Sequence, residues 1–524
     1  MANKPQSSRI QTGGSRRSFL KGAGLAAAGM MHSEAQKPAS RSSAAKKQAK
    51  PNVLWLMSDD MCAELSCYGA LARAQTPNLD RLASEGVRFD RNYCQFPICN
   101  PSRASLLTGR RPATTGVLGN RTDFRTAHPD WVSLPQFFRE HGYETYRTGK
   151  IFHGGLDDPK AWDQVGFDEN KVAGNEPSID HKIVVPPQQV PAPPPYDAVA
   201  KPVQPGQADA NHGAHSDQML FVEGDGSGHP ENHSAELAMS FLQTHADAEA
   251  GHVKPFFLAC GFSKPHSPPE APQSFYDLYK LDDLELPPNF AAWPTVPADL
   301  PSAAIRKMNA DLFIGRGASE YEAKLVLRAY LASAAWMDWN VGRVLQKLDA
   351  VGLADHTIVV FVPDHGYQLG ERGKWSKAGS LFEMGTRVPL IVRAPGAGGN
   401  GRSCYRTVQS LDLYPTLLEL CGFAASEELE GASLVPLLQD PAADWNKPAF
   451  SIWSEDGKTV HGTAVRTGRY RYVEFGTNAA NGAMLFDEHV DPYELVNLAD
   501  DPKHAEMRAA FSKLIAEYSA SRSS

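Results

Sequence analysis

Cysteine is scarce in this sequence: seven residues in 524, an odd count. That excludes a disulfide scaffold and leaves at least one thiol unpaired. No apolar run reaches the roughly 18 residues that a membrane-crossing helix needs, which excludes an α-helical membrane span. Positive charge is not in excess either, since 52 Lys and Arg against 60 Asp and Glu give a net charge of −8. Such a balance argues against nucleic acid as a partner. Internal repeats are absent, and so is any bias towards disorder beyond the N-terminal segment. What is present is a globular composition, 42% hydrophobic and 21% charged, with 43 Gly and 39 Pro punctuating long connections. A chain of this length exceeds one small core and reads as two or more domains, the build of a large enzyme.

The first fifty residues read as targeting. Ser15-Arg16-Arg17-Ser18-Phe19-Leu20-Lys21 places paired arginines before a weakly apolar Gly/Ala stretch, and Ser33-Glu34-Ala35 offers a small-x-small cleavage site. This order is similar to a bacterial twin-arginine export signal over residues 1–35, followed by a polar, Lys-rich linker over 36–50. The expected location is periplasmic or extracellular. Loss of residues 1–35 removes five basic residues and one acid, taking the charge from −8 to −12.

Beyond the linker, short apolar runs alternate with helical patterns. Val53–Met57, Tyr143–Thr148, Pro255–Cys260, Thr357–Val362 and Val388–Val392 are rich in β-branched or aromatic residues, as strands are. Thr76-Pro77 opens an amphipathic helix that Glu85-Gly86 closes. From Leu327 to Leu348 apolar residues keep a 3.6-residue period, ending at Gly352. The alternation predicts an α/β fold, a mainly parallel sheet covered on both faces, across residues 51–440. Ligands in such sheets gather beyond the carboxyl ends of the strands. Asp59-Asp60 and Asp364-His365 each follow an apolar run, so they are placed to share one site. Residues 186–205 hold eight prolines and read as an extended loop. After about residue 440 the texture changes to short strands (464–467, 470–474, 484–487) and a terminal helix, predicting a smaller α+β domain over 441–524.

The sharpest motif is Cys99-Asn100-Pro101-Ser102-Arg103, continuing to Thr108-Gly109-Arg110. It fits C-x-P-S-R-x-x-x-x-T-G-R, and by it the chain resembles the type I, formylglycine-dependent sulfatases. Residues 51–110 and 357–396 look like the two metal-binding ends of that family. Gly149-Lys150-Ile151-Phe152-His153, Gly261-Phe262-Ser263-Lys264-Pro265-His266, Asp364-His365-Gly366 with Leu369-Gly370-Glu371, and Trp375-Ser376-Lys377 are similar to the iduronate-2-sulfatase-like subgroup. The resemblance implies an alkaline-phosphatase-like fold and conversion of Cys99 to formylglycine by a maturation enzyme. A hydrated aldehyde is a geminal diol, so one hydroxyl attacks sulfur and the other later expels the sulfate.

The same resemblance implies roles for further residues. Asp59, Asp60, Asp364 and His365, with residue 99, would hold one Ca²⁺, which hard carboxylate oxygens suit. Arg103 and Lys150 would face the nucleophile, His153 would serve as base, and His266 with Lys377 would grip the sulfate, one of the two protonating the leaving alcohol. Pro363 departs from the family, which more often has a small polar residue there. Cys62, Cys67, Cys94, Cys260, Cys404 and Cys421 read as structural. His212, His215, His229 and His233 read as loop residues rather than a zinc site. The expected reaction is hydrolysis of sulfate monoesters on a carbohydrate. Phosphate or phosphonate ester hydrolysis on the same scaffold, and non-catalytic binding of sulfated glycans, are the alternatives. The collection of cations in an acidic chain further suggests a second anionic group on the sugar, a uronate or another sulfate.

Overall fold

The computed structural model describes residues 50–69, 73–167, 179–184, 218–248 and 254–520. The export signal, nearly all of the linker, the proline-rich segment 186–205, His212 and His215 lie outside the described residues. Nine strands form the main sheet in the order Arg387–Val388, Val87–Tyr93, Ile391–Arg393, Thr357–Pro363, Asn52–Ser58, Phe256–Gly261, Glu144–Gly149 and Gln164–Val165, with Ser403–Gln409 paired to Val87–Tyr93. Asn52–Ser58 is central and parallel to both neighbours, with Ser58 opposite Pro363 and Met57 opposite Gly261. Pro363 therefore ends its strand in register, and Asp364 N–H still donates to Ser58 O at 3.3 Å.

All seven residues of Asn52–Ser58 are buried, because the sheet is covered on both faces. Its alternation sorts side chains into two cores. Leu54 and Leu56 join Leu258, Val359 and Phe361 beneath the helices Pro77–Glu85, Pro230–Asp247 and Glu320–Ala350. Val53, Trp55 and Met57 join Phe257, Val360 and Val362 beneath Cys99–Thr108, Leu134–Glu140 and Leu413–Leu420. The long helix Glu320–Ala350 starts earlier than its apolar period announces. Ser319 and Glu322 close a reciprocal capping box, Glu322 N–H donating to Ser319 Oγ at 3.2 Å and Ser319 N–H to Glu322 Oε2 at 2.9 Å. From the same helix Asp338 accepts from the N–H groups of Leu79 (2.8 Å) and Asn78 (3.1 Å), satisfying the exposed start of Pro77–Glu85.

The run expected at Val388–Val392 is two short strands. Pro389 has no N–H to donate, so the ladder breaks between Arg387–Val388 and Ile391–Arg393, which run antiparallel to Val87–Tyr93. After residue 440 an antiparallel sheet forms from Ala449–Trp453, Gly462–Arg466, Tyr470–Phe475 and Ala483–Asp487, packed with the terminal helix Ala505–Ala520. Ala449–Trp453 is a strand the sequence pattern did not reveal.

Two glycines let adjacent strand ends close at the carboxyl edge. Gly149 has φ +68°, and a Cβ there would lie 1.9 Å from Gly261 O; a Cβ on Gly261 would lie 2.0 Å from Lys150 O. Both clashes are with backbone, which cannot swing aside. Gly261→Ala should therefore lower stability by about 1–3 kcal/mol or more, the scale of overpacking, and reduce turnover by displacing Lys150. A variant melting at the parent's temperature would contradict this close approach.

Candidate active site

Five strand ends deliver the parts. Asp59 and Asp60 follow Asn52–Ser58, and Asp364 and His365 follow Thr357–Pro363. His266 lies on the loop after Phe256–Gly261, and Lys150 and His153 on the loop after Glu144–Gly149. Beyond Val87–Tyr93 a turn leads into the helix Cys99–Thr108, every residue of which is buried. Cys99 is its first residue and stands at the positive end of the helix dipole. Gly109 ends the helix at φ 65°, where a Cβ would meet Leu429 and Tyr414 at 2.7 and 2.9 Å. Asp60 itself has φ 61°, uncommon for a residue with a side chain though tolerated best by Asp and Asn. Tyr330, from the long helix, secures that turn by donating to Asp60 O at 2.8 Å and accepting from Cys62 N–H at 3.1 Å.

The side chains converge. Cys99 Sγ lies 3.5 Å from Asp59 Oδ1 and 3.3 Å from His365 Nε2. His365 donates from Nδ1 to Gly366 O at 3.0 Å, which leaves the Nε2 lone pair facing residue 99. Arg103, fully buried, donates from Nε to Asp364 Oδ2 (2.8 Å) and from Nη1 to the carbonyls of Lys150 (2.8 Å) and Ile151 (2.9 Å). Its Nη2 is 3.3 Å from Asp59 Oδ2, to which Lys150 is also ion-paired. Lys377 Nζ reaches Asp60 Oδ2 at 3.0 Å, Asp311 Oδ1 at 3.2 Å and His266 Nε2 at 2.9 Å. His266 donates from Nδ1 to Ser267 O at 2.6 Å, so its Nε2 accepts from the lysine. His153 Nδ1 is buried with no hydrogen-bond partner.

The cations are not a surplus. Arg103 and Lys150 are matched by Asp59 and Asp364, and Lys377 by Asp60 and Asp311. The expectation of spare positive charge for a second anionic group thus loses its basis. Four carboxylates in fact face three fixed cations. The imbalance appears in Asp60: burial raises its pKa well above the usual range, with Asp59, Asp311 and Asp364 adding to this against Lys377. Burial also raises Asp59, but Lys150, His266, Arg103 and His365 outweigh it and hold that carboxyl well below the usual range. For His153, burial and then Lys150 and Arg103 lower the pKa to about 3, which keeps the imidazole neutral.

The donor set fits one divalent cation. Ligand atoms of Asp59, Cys99, Asp364 and His365 lie within 4.8 Å of one another, and Asp59, Asp60 and His266 form a second such group. Asp60 Oδ1 is buried without a hydrogen-bond donor, a costly state that a cation would relieve. His365 also holds its second ring nitrogen on a backbone carbonyl, as metal-bound histidines do.

Three participants escaped the sequence reading. Asp311 and Tyr330 belong to no motif, and Ser102, within the motif, donates to Asp364 O. His229 and His233 are not loop residues: His229 caps the helix Pro230–Asp247 and lies 3.2 Å from Glu270, while His233 sits inside that helix. The proline after His229 marks the first helical turn, where its missing N–H costs nothing.

A buried thiol at a helix start, metal-capable carboxylates and fixed cations at the carboxyl edge of a parallel sheet define a hydrolytic centre for an anionic ester. A family model described as "Sulfatase" matches residues 51–423, and one described as "N-sulphoglucosamine sulphohydrolase, C-terminal" matches 370–521. The chain belongs to the sulfatase family of sulfuric ester hydrolases. It is 31% identical to a sulfatase of Formosa agariphila over 90% of this chain and 87% of that one. Identity to the iduronate 2-sulfatase of Homo sapiens is also 31%, over 71% of this chain and 69% of that one. Among solved structures, a protein in complex with its substrate D-glucosamine-2-N,6-O-disulfate aligns with TM-score 0.65 at 22% identity, covering 90% of this chain and 98% of that one. A phosphonate monoester hydrolase of Agrobacterium radiobacter aligns with TM-score 0.68 at 22% identity, covering 90% and 96%. The fold is the expected alkaline-phosphatase-like α/β architecture with a smaller C-terminal α+β portion.

Removing one partner of a buried ion pair strands the other charge. Arg103→Met should cost about 3–5 kcal/mol of stability, measured by denaturant unfolding. A variant as stable as the parent would contradict the pairing of Arg103 with Asp59 and Asp364.

Proposed function

We propose that the chain hydrolyses sulfate monoesters on a sulfated carbohydrate, with residue 99 as a formylglycine nucleophile and one Ca²⁺ held by Asp59, Asp60, Asp364 and His365. The observation that carries this reading is the cluster itself: the C-x-P-S-R cysteine beside acids that outnumber their cations. With a divalent ion the centre carries one net positive charge, which the single negative charge of a sulfate monoester balances. Conversion of Cys99 replaces the soft sulfur donor by oxygen, and an oxygen-rich site suits a hard cation. The ion would polarise the sulfuryl oxygens, and the aldehyde hydrate would supply the attacking hydroxyl.

The protein's own groups do the rest. Arg103 holds Asp59 and Asp364 in place and fixes the loop that carries Lys150 and His153. His153, neutral, takes the proton from the second hydroxyl of residue 99 when sulfate leaves. Lys377 grips the sulfate with His266 holding it in place, and, as the hydrogen-bond donor of that pair, offers the proton to the leaving alcohol. Residues 1–35 act as a twin-arginine export leader, 51–440 as the catalytic portion and 441–524 as the C-terminal α+β portion. A maturation enzyme for Cys99 is the implied protein partner. Phosphonate monoesters are a second reading, because they too carry one negative charge and the hydrolase that aligns here is one by name.

Mass spectrometry of the peptide containing residue 99, from a host that performs the conversion, should show oxygen in place of the thiol's sulfur and two hydrogens fewer. That protein should desulfate at least one member of a panel of sulfated uronates, hexosamines and algal oligosaccharides. Its kcat/KM there should exceed that for phosphonate monoesters by about tenfold or more, or 1.4 kcal/mol of transition-state binding. Full activity with an unmodified thiol would refute the nucleophile, and the reverse substrate order would establish the second reading.

A further inference from the structure

Asp311 has no place in any motif, yet it is built into the centre. Its segment is fastened to the loop that carries Lys377 by reciprocal bonds. Lys374 Nζ donates to Met308 O at 2.9 Å, and Asn309 Nδ2 donates to Gly373 O at 3.2 Å. In return Trp375 N–H donates to Asn309 Oδ1 at 3.0 Å, and Leu312 N–H donates to Trp375 O at 3.3 Å. Asn309 and Lys374 are both buried. The result sets Asp311 Oδ1 3.2 Å from Lys377 Nζ.

A lysine ammonium has three N–H donors and no acceptor. Lys377 Nζ has three acceptors around it, Asp60 Oδ2, Asp311 Oδ1 and His266 Nε2, at 3.0, 3.2 and 2.9 Å. No donor is left for a sulfate oxygen while all three are engaged. Of the three acceptors, Asp60 and His266 share a group of candidate ligands with Asp59, and Asp60 belongs to the Ca²⁺ set proposed above, whereas Asp311 belongs to neither group.

Resting on the one-metal sulfatase reading above, we propose that Asp311 is a positioning residue for Lys377. A cation on the unbonded Oδ1 of Asp60 would draw charge from Oδ2 and weaken it as an acceptor, so Asp311 and His266 keep two of the ammonium's donors and the third turns to the substrate's sulfate. Without the charge of Asp311, Lys377 settles on Asp60 and competes with the cation. Asp311 therefore governs both sulfate binding and metal affinity without touching either.

The test is Ca²⁺ titration calorimetry on the chelator-stripped mature protein, with a double-mutant cycle. Asp311→Asn should weaken Ca²⁺ binding by about tenfold, the scale of coupling between contacting residues, and should raise KM for a sulfate ester more than it lowers kcat. Lys377→Met alone should tighten Ca²⁺ binding, and in that background Asp311→Asn should have no further effect. Unchanged Ca²⁺ affinity in Asp311→Asn, or an equal loss with and without Lys377, overturns the inference and leaves the functional reading intact. Failure of the parent to bind Ca²⁺ is instead a failure of that reading. Should Asp311→Asn not fold, Lys377→Met decides: affinity no tighter than the parent's overturns the proposal.

Discussion

A guanidinium with no access to solvent organises this protein's centre. Arg103 must be paired where it lies, because a buried unpaired charge is far too costly to survive folding. Its partners are two aspartates, Asp59 and Asp364, and the carbonyls of Lys150 and Ile151. Those groups sit just past three different parallel strands, so one side chain ties three strand ends together. Arg103 also shares a helix with Cys99, four residues along and so on the same face. The position of Cys99 and the position of the carboxylates are therefore one geometric fact. Gly149 and Gly261 serve the same end by allowing the neighbouring strand ends to touch.

Much of this was legible in the residues. Continuous apolar runs gave the buried parallel strands, and acids at the ends of two of them placed both halves of the site at one edge. The approach of His266 to Lys377 agrees with the pairing that the motifs implied. Other parts were hidden for physical reasons. Asp338 and Tyr330 act through hydrogen bonds to backbone groups about 260–270 residues away, and a periodic helix shows such residues only as part of its core face. Asp311 is brought in by a loop-to-loop staple that leaves no periodic trace. Pro389 interrupts an expected strand because apolar content carries no information about the missing N–H donor. The matching of each cation by a carboxylate could not be counted until the pairs were seen, and it removed the case for a second anion on the sugar.

Charge balance then narrows the chemistry. Four carboxylates against three fixed cations leave a deficit that shows as an elevated Asp60 and an orphaned oxygen on the same side chain. One divalent ion turns the deficit into a single positive charge, matched to a monoanionic ester. Two ions would overshoot that match and favour a dianion such as a phosphate monoester. Metal count and substrate charge are thus linked through the same seven side chains, independently of what the sugar is.

The most direct test of this account is the metal content of the active enzyme, measured by elemental mass spectrometry on protein of known concentration while activity is followed. One divalent ion per chain, lost with activity on chelation and restored with it by Ca²⁺, is the predicted result. Two ions per chain at full activity, or full activity with none, would contradict it.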